Sequence, residues 1–465
     1  MPEGEGGGVA HRGAEVMGGV ATLTPHELLS QGITAYAAED FDATSEHVER
    51  AFTAFRDADD LKGAALAATY LAIVHYDAWG HESVSHGWLS RASRLLERTG
   101  RCVERGYLEL ALVACHARDV SALEESAAVA LDLALEFHDS DLEARALADG
   151  GLALISQGRL AEGFARLDEA MAPLSAGEVK NPMTGGAIFC ALLTACERTG
   201  EMHRAEEWTK ACEQFRQRRL QGSLPVLHAH CRIAYGAVLC EAGRWPEAEV
   251  EMLASIGPTK SVPKLADSAA ALARLRLLQG RVDDAAELLA PYTDRFEVTE
   301  PLAWLHLARG ELDRAAAVVE GALVQLVGDR LRAGKLLSLL VEIDLQRGDL
   351  AGAERSADRL ADYADASDSA ILGAEARLSD GRVAAHRGDL ERAVTDLTDA
   401  TRLLAHEDRP VLGATIRLEL ARALAGVGRR EEATAEGRAA LACFQRLGVA
   451  PQADAAAELL RELAP

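Results

Sequence analysis

Apolar residues recur along most of the chain in runs that are typical of helices. Ile371–Ala385 and Ala393–Leu404 are two such runs, and the short stretch Gly388–Arg392 separates them. Glycine supplies the left-handed backbone conformation that ends a helix, and the acidic residue after it favours the start of the next. The pattern therefore predicts two helices joined by a tight turn, that is, a helical hairpin.

The same turn pattern recurs about eleven times, at a mean spacing of about 39 residues. The predicted turns begin at Glu39, Gly80, Arg118, Gly158, Gly200, Gly243, Gly280, Gly310, Gly348, Gly388 and Gly428. Alanine follows five residues after the glycine at Ala205, Ala248, Ala285, Ala315, Ala353, Ala393 and Ala433. A small side chain there lets the two helices approach closely. Because a single hairpin cannot bury its apolar face, the repeats are expected to stack into a superhelix.

The chain divides into three predicted segments. Residues 1–22 form a Gly-rich tail that we expect to be disordered, since such sequence cannot offset its ordering entropy by burial. Residues 23–449 form the repeat solenoid, which begins at Thr24-Pro25-His26-Glu27, a capping-box sequence with proline at the first helical position. Residues 450–465 form a C-terminal capping helix with a polar outer face.

The spacing and the glycine–alanine signature resemble tetratricopeptide repeats in their longer, MalT-like form. Several stretches are also similar to the helical-repeat region of actinobacterial LuxR-type transcriptional regulators. These stretches are Trp88–Ala92, Gln157–Met171, Ser175–Val179, Cys196–Trp208, Gly243–Ala248 and Ala439–Gly448. The resemblance covers most of residues 25–463 and implies an all-α, right-handed superhelical solenoid of about eleven tetratricopeptide-like hairpins.

This sequence also departs from the family. In such regulators a DNA-binding helix-turn-helix follows the repeats, whereas this chain stops at Pro465, and no nucleotide-binding domain precedes the repeats. The family's contacts with DNA and its use of ATP are therefore assigned to no residue here. The resemblance implies a regulatory input module without the DNA-binding domain, which would act through another protein.

The charge balance affects the expected partners. Asp and Glu number 73 against 49 Lys and Arg, which gives a net charge of −24. Such an excess opposes binding to a phosphate backbone or an anionic membrane, so neither direct nucleic-acid binding nor membrane association is expected. The alternative reading is that the charge only keeps a long solenoid soluble.

The cysteines and the apolar runs indicate the compartment. Eight cysteines lie singly in apolar helical runs, with no Cys-x-x-Cys pair, which fits a reducing cytoplasm. No signal peptide opens the chain, and no apolar run reaches the length of about 18 residues that a membrane span needs. A cytoplasmic location is therefore expected.

Candidate chemistry is sparse. Gly328–Leu336 resembles a phosphate-binding loop, but its spacing is too long, Leu336 replaces the required hydroxyl and no strand precedes it. The stretch is better interpreted as the start of a helix. His75, His81 and His86 lie around one turn, either as a cluster or as separate solvated residues, and no acidic or thiol ligand completes a metal pattern. The sequence predicts no enzyme activity, no cofactor and no metal site.

Partner-binding residues are chosen by repeat register, because the first helix of each pair should line the inner surface of the superhelix. Tyr70, His75, His230 and Arg232 are the predicted residues of a partner or ligand site. The alternative is that Tyr70 packs in the core and the others are ordinary surface. The basic patch Phe215–Arg219 could likewise contact an acidic partner or simply complement a helix C-terminus.

These observations lead to two functional hypotheses. The first is a non-enzymatic helical-repeat protein that binds a protein, a peptide or a small-molecule ligand and takes part in transcriptional regulation. The alternative is a structural scaffold or adaptor that assembles a multiprotein or biosynthetic complex.

Overall fold

The computed structural model describes residues 23–116, 119–219, 229–256 and 260–464, so the predicted tail at 1–22 lies outside the described residues. Within these ranges the chain forms 23 α-helices, and its one β-type pairing is an isolated bridge between Asp119 and Val327. The helices are α1 (Pro25–Ala37), α2 (Phe41–Asp57), α3 (Leu61–Trp79), α4 (Glu82–Leu96), α5 (Val103–His116), α6 (Val120–Phe137), α7 (Ser140–Ser156), α8 (Leu160–Ala176), α9 (Pro182–Thr199), α10 (Met202–Arg219), α11 (Ala229–Glu241), α12 (Trp245–Ile256), α13 (Val262–Leu278), α14 (Val282–Leu289), α15 (Thr299–Ala308), α16 (Leu312–Leu323), α17 (Arg330–Arg347), α18 (Leu350–Asp365), α19 (Ala370–His386), α20 (Leu390–Leu403), α21 (Pro410–Gly426), α22 (Arg430–Leu447) and α23 (Ala450–Glu462). Two 3-10 turns, Ala290–Tyr292 and Phe296–Val298, lie between α14 and α15.

The helices form consecutive hairpins, which confirms the predicted all-α solenoid. Helices α1 to α22 make eleven pairs, and α23 packs against the last of them. Gly388 has a φ of 83°, in the left-handed region, and the predicted glycine turns from Gly158 to Gly428 share this conformation. The alanines that follow five residues later are fully buried. The glycine therefore reverses the chain, and the alanine lets the second helix pack closely on the first.

The first helix begins as its sequence predicts. The Thr24 hydroxyl accepts a hydrogen bond from the backbone N–H of Glu27, and the Glu27 carboxylate accepts one from the backbone N–H of Thr24. Pro25 occupies the first helical position, where its missing N–H costs nothing. The capping box is confirmed and sets the start of α1.

Odd-numbered helices form an inner layer and even-numbered helices an outer one. Each odd helix from α3 to α13 contacts the next odd helix, whereas among the even helices only α8 and α10 contact each other appreciably. Burial follows the same division, since α7 has twelve buried residues and α8 has five. A helix that is apolar on most sides must be enclosed by others. Even so, no helix in the described ranges is both long enough and apolar enough to cross a membrane.

The superhelix winds tightly enough for successive turns to touch. Inner helix α3 contacts α13, and α7 contacts α17, in each case five hairpins further along the chain. The backbone N–H of Asp368 donates to the carbonyl of Gly158 at 3.0 Å, and the Asp368 carboxylate accepts from the N–H of Leu160 at 2.8 Å, 208 residues away. Similarly, the N–H of Val120 donates to the carbonyl of Val327 at 3.0 Å. We call this line of contacts the inter-turn seam.

Further polar contacts along the seam join the C-terminal ends of inner helices to the N-terminal ends of inner helices in the next turn. The Arg330 guanidinium donates to the carbonyl of Gln157 at 2.9 Å, and Arg198 lies 3.3 Å from the carboxylate of Asp329. The carbonyls at a helix C-terminus lack partners within their own helix. The seam supplies some of those partners. We call the region where inner helices of the two turns face each other the lumen.

Candidate functional site

A ring of charged side chains lies where the two turns of the superhelix meet. One charged residue comes from each of seven successive inner positions: Glu197 of α9, Glu241 of α11, Arg274 of α13, Glu300 of α15, Lys335 of α17, Glu375 of α19 and Arg409, the residue before α21. We call these seven residues the lumen ring. Charged groups are rare inside proteins unless they are paired, because removing a charge from water is costly. A concentration of charge on otherwise apolar helices therefore marks the lumen as the candidate site.

Lys335 is the centre of the ring. Its ammonium lies 3.2 Å from Glu241, 3.7 Å from Glu300 and 3.8 Å from Glu197, so carboxylates of three different helices surround one cation. Burial alone would lower the pKa of Lys335, but these carboxylates outweigh it and raise the pKa above its usual value. About a third of the side chain remains accessible, at 33%. The lysine is thus a fixed positive charge inside a lumen that retains open space.

Arg409 completes the link between the turns. Its guanidinium lies 2.6 Å from the carboxylate of Glu241 and donates to the backbone carbonyl of Glu197 at 2.6 Å. Burial would raise the pKa of Glu241, but Lys335, Arg409 and Arg274 together hold it well below its usual range. Glu241 is therefore ionised, and its two oxygens bridge the two cations.

The positions of these charges oppose the helix dipoles. Glu241 is the last residue of α11 and Glu197 lies in the last turn of α9, whereas Arg409 precedes the first turn of α21. Carboxylates at a C-terminus and cations at an N-terminus are unfavourable for an isolated helix. Here each unfavourable charge faces its opposite across the junction between turns. The ring stabilises the closed superhelix only when the two ends come together.

The aromatic wall of the ring comes from α15. The Arg274 guanidinium stacks 5.0 Å from the centre of the Trp304 ring and lies 3.5 Å from the Glu300 carboxylate. A guanidinium between an aromatic face and a carboxylate is held by two directional interactions. Arg274 is thereby fixed in place, which leaves Glu300 to be shared with Lys335.

Glu375 is the exception in the ring. Its side chain is half-buried, and its carboxylate makes no hydrogen bond or ion pair within 4.0 Å with any described residue. Burial raises the pKa of Glu375 to about 7, with Glu241 and Glu300 adding to the rise and Lys335 and Arg409 opposing it. The ring holds four carboxylates against three cations, and Glu375 is the one carboxylate of the ring with no cation within 4.0 Å among the described residues.

Arg382 extends the polar lining along the same inner layer. The Arg382 guanidinium of α19 lies 3.1 Å from Glu342 of α17 and 3.5 Å from Glu419 of α21. Burial would lower the pKa of Arg382, but the two carboxylates raise it. Adjacent inner helices are therefore joined by paired charges, in contrast to the unpaired Glu375 two turns earlier on α19.

A different polar network fills the lumen of the N-terminal half. The Tyr36 hydroxyl donates to the Asp77 carboxylate at 2.6 Å, and the Arg145 guanidinium lies 2.7 Å from Asp149. Burial raises the pKa of Tyr36 well above its usual value, and the Asp77 charge raises it further. We call these four residues the tyrosine network. Each has a partner within it.

Two of the residues predicted from register lie near this network. Tyr70 is buried, and its hydroxyl accepts a hydrogen bond from the Asn181 side-chain amide at 2.6 Å. Burial raises the pKa of Tyr70, while the bond from Asn181 lowers it. His75 is part exposed, and its ring lies 5.1 Å from Trp79 and 5.9 Å from His81. Burial lowers the pKa of His75, and the neighbouring His81 lowers it further.

The other two predicted residues lie on α11. The Arg232 guanidinium lies 2.7 Å from Glu251, in the outer helix of its own hairpin, and not in the lumen ring. His230 lies in the first turn of α11, but its side chain is outside the described part of the structure, as are the side chains of Phe215–Arg219. Tyr70, His75 and Arg232, the three predicted residues whose side chains are described, therefore lie outside the ring. They remain predictions about partner contacts.

Sequence reasoning missed the lumen ring, although it examined Lys335 as part of a possible phosphate loop. The stretch is indeed helical: Asp329 caps α17, and Lys335 lies in the second turn of that helix. The available signal was the isolated charge among buried leucines, together with acidic residues at helix C-termini. No group of three or more metal-ligating side chains is arranged around a common point in the described ranges.

Comparisons with known proteins give distant structural likenesses only. No protein-family model matches the chain, and no curated protein is similar to it in sequence. Among solved structures, a chain of the APC/C hetero-tetramer Cut9–Hcn1 is 12% identical, with 96% of this chain and 97% of that chain covered and a TM-score of 0.42. Yeast Tom70 is 12% identical over 94% and 96%, with a TM-score of 0.35.

A tetratricopeptide repeat protein from Parabacteroides merdae is 15% identical over 60% of this chain and 97% of that one, with a TM-score of 0.34. With TM-scores below 0.5, these likenesses assign no family and no role to this chain. The chain itself is a tetratricopeptide-like solenoid by its eleven hairpins, its glycine turns and its buried alanines.

Proposed function

We propose that this protein is a ligand-sensing interaction module, without catalytic activity of its own, that regulates transcription through a protein partner. The observation that carries the proposal is the lumen ring, which joins inner helices of two superhelical turns by charges that are unfavourable singly. A ligand that alters the pairing in the ring would change how tightly the turns close. How tightly the two turns close would in turn change which faces of the outer helices are accessible to a partner protein.

Two features support the regulatory part of the proposal. The sequence resembles the repeat region of LuxR-type regulators, where such a solenoid serves as the input module. The net charge of −24 opposes direct contact with DNA, which favours a partner protein as the effector. The lysine and the arginines of the ring are engaged with carboxylates, which suits a structural and ligand-responsive role.

The experiment compares transcripts from three strains: one that lacks the gene, one that carries Glu375→Gln and one that carries Glu391→Gln. Glu391 is exposed on α20, next to the helix that carries Glu375, so its substitution changes the charge by the same amount outside the lumen. We expect the deletion and Glu375→Gln to alter the same set of transcripts, and Glu391→Gln to alter none. Unchanged transcripts in the deletion strain would reject the regulatory role.

A scaffold role is the second candidate, and the outer layer favours it. Val250 and Leu253 lie one turn apart on α12 and are 64% and 52% exposed, and Leu135 on α6 is 55% exposed. Apolar side chains at neighbouring exposed positions are a common feature of interaction surfaces. If the scaffold reading is right, the double variant Val250→Asp/Leu253→Asp should release co-purifying proteins while the deletion leaves transcripts unaltered.

A further inference from the structure

A groove lies in the outer layer between α16 and α18, and α17 forms its floor. Helix α17 packs against both outer helices, and residues of all three helices line a cavity of about 440 Å³. Cavities of about 300 to 1,000 Å³ are the usual size of small-molecule sites. The groove is separate from the lumen ring, because its lining contains none of the seven ring residues. We call it the outer groove.

Two carboxylates converge at one end of the outer groove. Asp344 is only 4% exposed, and its Oδ1 accepts a hydrogen bond from Arg347 at 3.2 Å, whereas its Oδ2 accepts none from any described residue. The Oδ2 atoms of Asp344 and Asp349 lie 2.8 and 2.5 Å from the point that a Cβ of residue 352 would occupy. Gly352 therefore leaves room for both carboxylates. A buried carboxylate oxygen without a donor is costly, so this end of the groove lacks a hydrogen-bond donor.

The neighbouring charges leave that deficit in place. Arg347 divides its guanidinium between Asp344 and Asp313, the latter at 3.0 Å. Burial raises the pKa of Asp344, and the charges of Asp349 and Glu320 raise it further, so that Arg347 opposes the rise only in part. Glu320 lines the same groove from α16. A further cation at this end would stabilise the ionised carboxylates.

The rest of the outer groove offers an apolar floor and an uncommitted guanidinium. Leu337 and Leu340 line the cavity and lie seven and four residues before Asp344, so the three share one face of α17. On α18, Arg355 lies three residues after Gly352, one turn further along the face that lines the cavity. The exposed Arg355 side chain makes no hydrogen bond or ion pair with any described residue. The groove thus combines an acidic end, a leucine floor and a free positive charge.

We propose that the outer groove binds a free amino acid with an apolar side chain. The carboxylates of Asp344 and Asp349 hold its ammonium group, whose three N–H donors match oxygens that lack donors. Arg355 pairs with its carboxylate, and its side chain lies on the leucine floor. This inference goes beyond the proposed function, because it assigns a ligand to the outer layer, where the ligand bridges the hairpins α15–α16 and α17–α18.

The charges of the groove also set limits on the ligand. A carboxylic acid without an ammonium group would bring a negative charge to a place where Glu320, Asp344 and Asp349 already lie. An amine without a carboxylate would leave Arg355 without a partner, since Arg359, the other arginine of the lining, already donates to the Tyr363 hydroxyl at 3.0 Å. The N-terminus of a peptide has the same deficiency, which favours the free amino acid.

The experiment is calorimetric titration of the full chain with L-leucine at pH 7. Three probes of similar size each remove one group: 4-methylpentanoate lacks the ammonium, 3-methylbutylamine lacks the carboxylate, and L-leucinamide represents a peptide N-terminus. Glycine lacks the apolar side chain. We expect saturable heat with leucine, about threefold weaker binding of 3-methylbutylamine and L-leucinamide, and no binding of 4-methylpentanoate or glycine.

Two variants test the two charged ends, each with a matched control. Asp344→Asn should weaken leucine binding about tenfold or more, because it removes the buried charge, whereas Asp358→Asn, at an exposed position of α18, should leave binding unchanged. Arg355→Gln should weaken binding about threefold, and Arg438→Gln, at an exposed position of α22, should have no effect. Because Arg355 is exposed, its variant tests the site even if Asp344→Asn fails to fold.

Amide hydrogen exchange of the unaltered protein locates the bound ligand. Leucine should slow exchange in α16, α17 and α18 and leave α22 unchanged. The inference is overturned by an absence of leucine binding, by equal binding of 4-methylpentanoate or glycine, or by protection confined to other helices. Unchanged affinity in Arg355→Gln would also overturn it, and L-leucinamide binding as tight as that of leucine would assign the groove to a peptide N-terminus instead.

Discussion

The two halves of the lumen accommodate their buried polar groups with different chemistry. Inner helices are apolar on most sides, and each half places its few polar groups where helices of the two turns face each other. The tyrosine network pairs a neutral phenol with Asp77 and Arg145 with Asp149, whose side chain is only 9% exposed. The lumen ring uses fully charged pairs, and Lys335 remains 33% exposed.

The difference shows what a polar lumen can be used for. A network whose donors and acceptors are all matched fixes one geometry and leaves nothing for a ligand to satisfy. A ring with an unmatched carboxylate and accessible side chains can still gain a partner. We therefore infer that the N-terminal half holds the superhelix rigid, and that the ring between α9 and α21 is the half that responds.

The largest expected effect comes from removing the central cation of the ring. Lys335→Met leaves the carboxylates of Glu197, Glu241 and Glu300 without their shared counter-charge, and breaking such an enclosed pair costs about 3 kcal/mol of unfolding free energy at pH 7. Urea denaturation measures the loss. The same substitution at exposed Lys62 is the control and should change stability by less than about 0.5 kcal/mol.

The variant's pH dependence provides a second check on the same residue. Lys335 is one of three cations that hold the pKa of Glu241 well below its usual value of 4.5, so removing it makes that lowering smaller. A carboxylate with a lowered folded pKa stabilises the fold above its usual pKa, and that stability is lost as pH falls towards the folded pKa. The deficit of Lys335→Met should therefore shrink as pH falls below about 4.5. A deficit that does not change with pH would mean that Lys335 acts through packing alone.

The next effect is the titration of Glu375 itself. Its pKa of about 7 in the folded protein lies above the usual value of 4.5, so its protonation stabilises the fold below about pH 4.5 and this contribution disappears as pH rises through 7. Glu375→Gln removes the dependence. Relative to the unaltered protein, the variant should gain on the order of 2 kcal/mol between pH 5 and pH 8, as measured by urea denaturation. Parallel stability curves would contradict the assignment of an unpaired carboxylate to the ring.

A smaller effect is expected in the tyrosine network. Tyr36→Phe removes the 2.6 Å hydrogen bond to Asp77 and leaves that carboxylate with one partner fewer, at a cost of about 1.5 kcal/mol. Thermal unfolding measures the change. Tyr363→Phe is the matched control, because the Tyr363 hydroxyl accepts only exposed hydrogen bonds from Arg359. If Tyr36→Phe and Tyr363→Phe lost equal stability, the buried hydrogen bond of the tyrosine network would contribute no more than an exposed one.

The hairpins could be predicted from sequence because their signals are local. A glycine with positive φ, the capping box at Thr24 and an alanine five residues after the turn act within one or two helical turns. Eleven repetitions of such a signal leave little choice of fold class. The bounds of the helices follow from the same residues.

The lumen ring could not be predicted in this way, because its members come from helices far apart in the chain. Lys335 contacts Glu241, 94 residues earlier, and Arg409 contacts the carbonyl of Glu197, 212 residues earlier. The winding of the superhelix decides which residues come into contact. That winding is the cumulative result of small packing angles between successive hairpins. Register alone selected Arg232, whose guanidinium pairs with Glu251 of its own hairpin.

The smallest predicted effect tests whether the two halves of the lumen are coupled through the inter-turn seam. The Asp368 carboxylate accepts hydrogen bonds from the backbone N–H groups of Leu160 and Ala161 at 2.8 and 3.3 Å, and thereby caps α8 from the next turn. Asp368→Ala should cost about 1 kcal/mol, the usual value of a lost N-terminal cap. Amide hydrogen exchange should accelerate at Leu160 and Ala161.

The location of any further acceleration decides the coupling. If the amides around Lys335 on α17 also exchange faster, the seam and the lumen ring open as one unit, and ligand binding in the ring would close the seam. If the change stays at the start of α8, the turns are held independently at each contact. Ligand binding in the ring would then affect only the inner helices that form it. The sensing proposal would require a partner that contacts those helices directly.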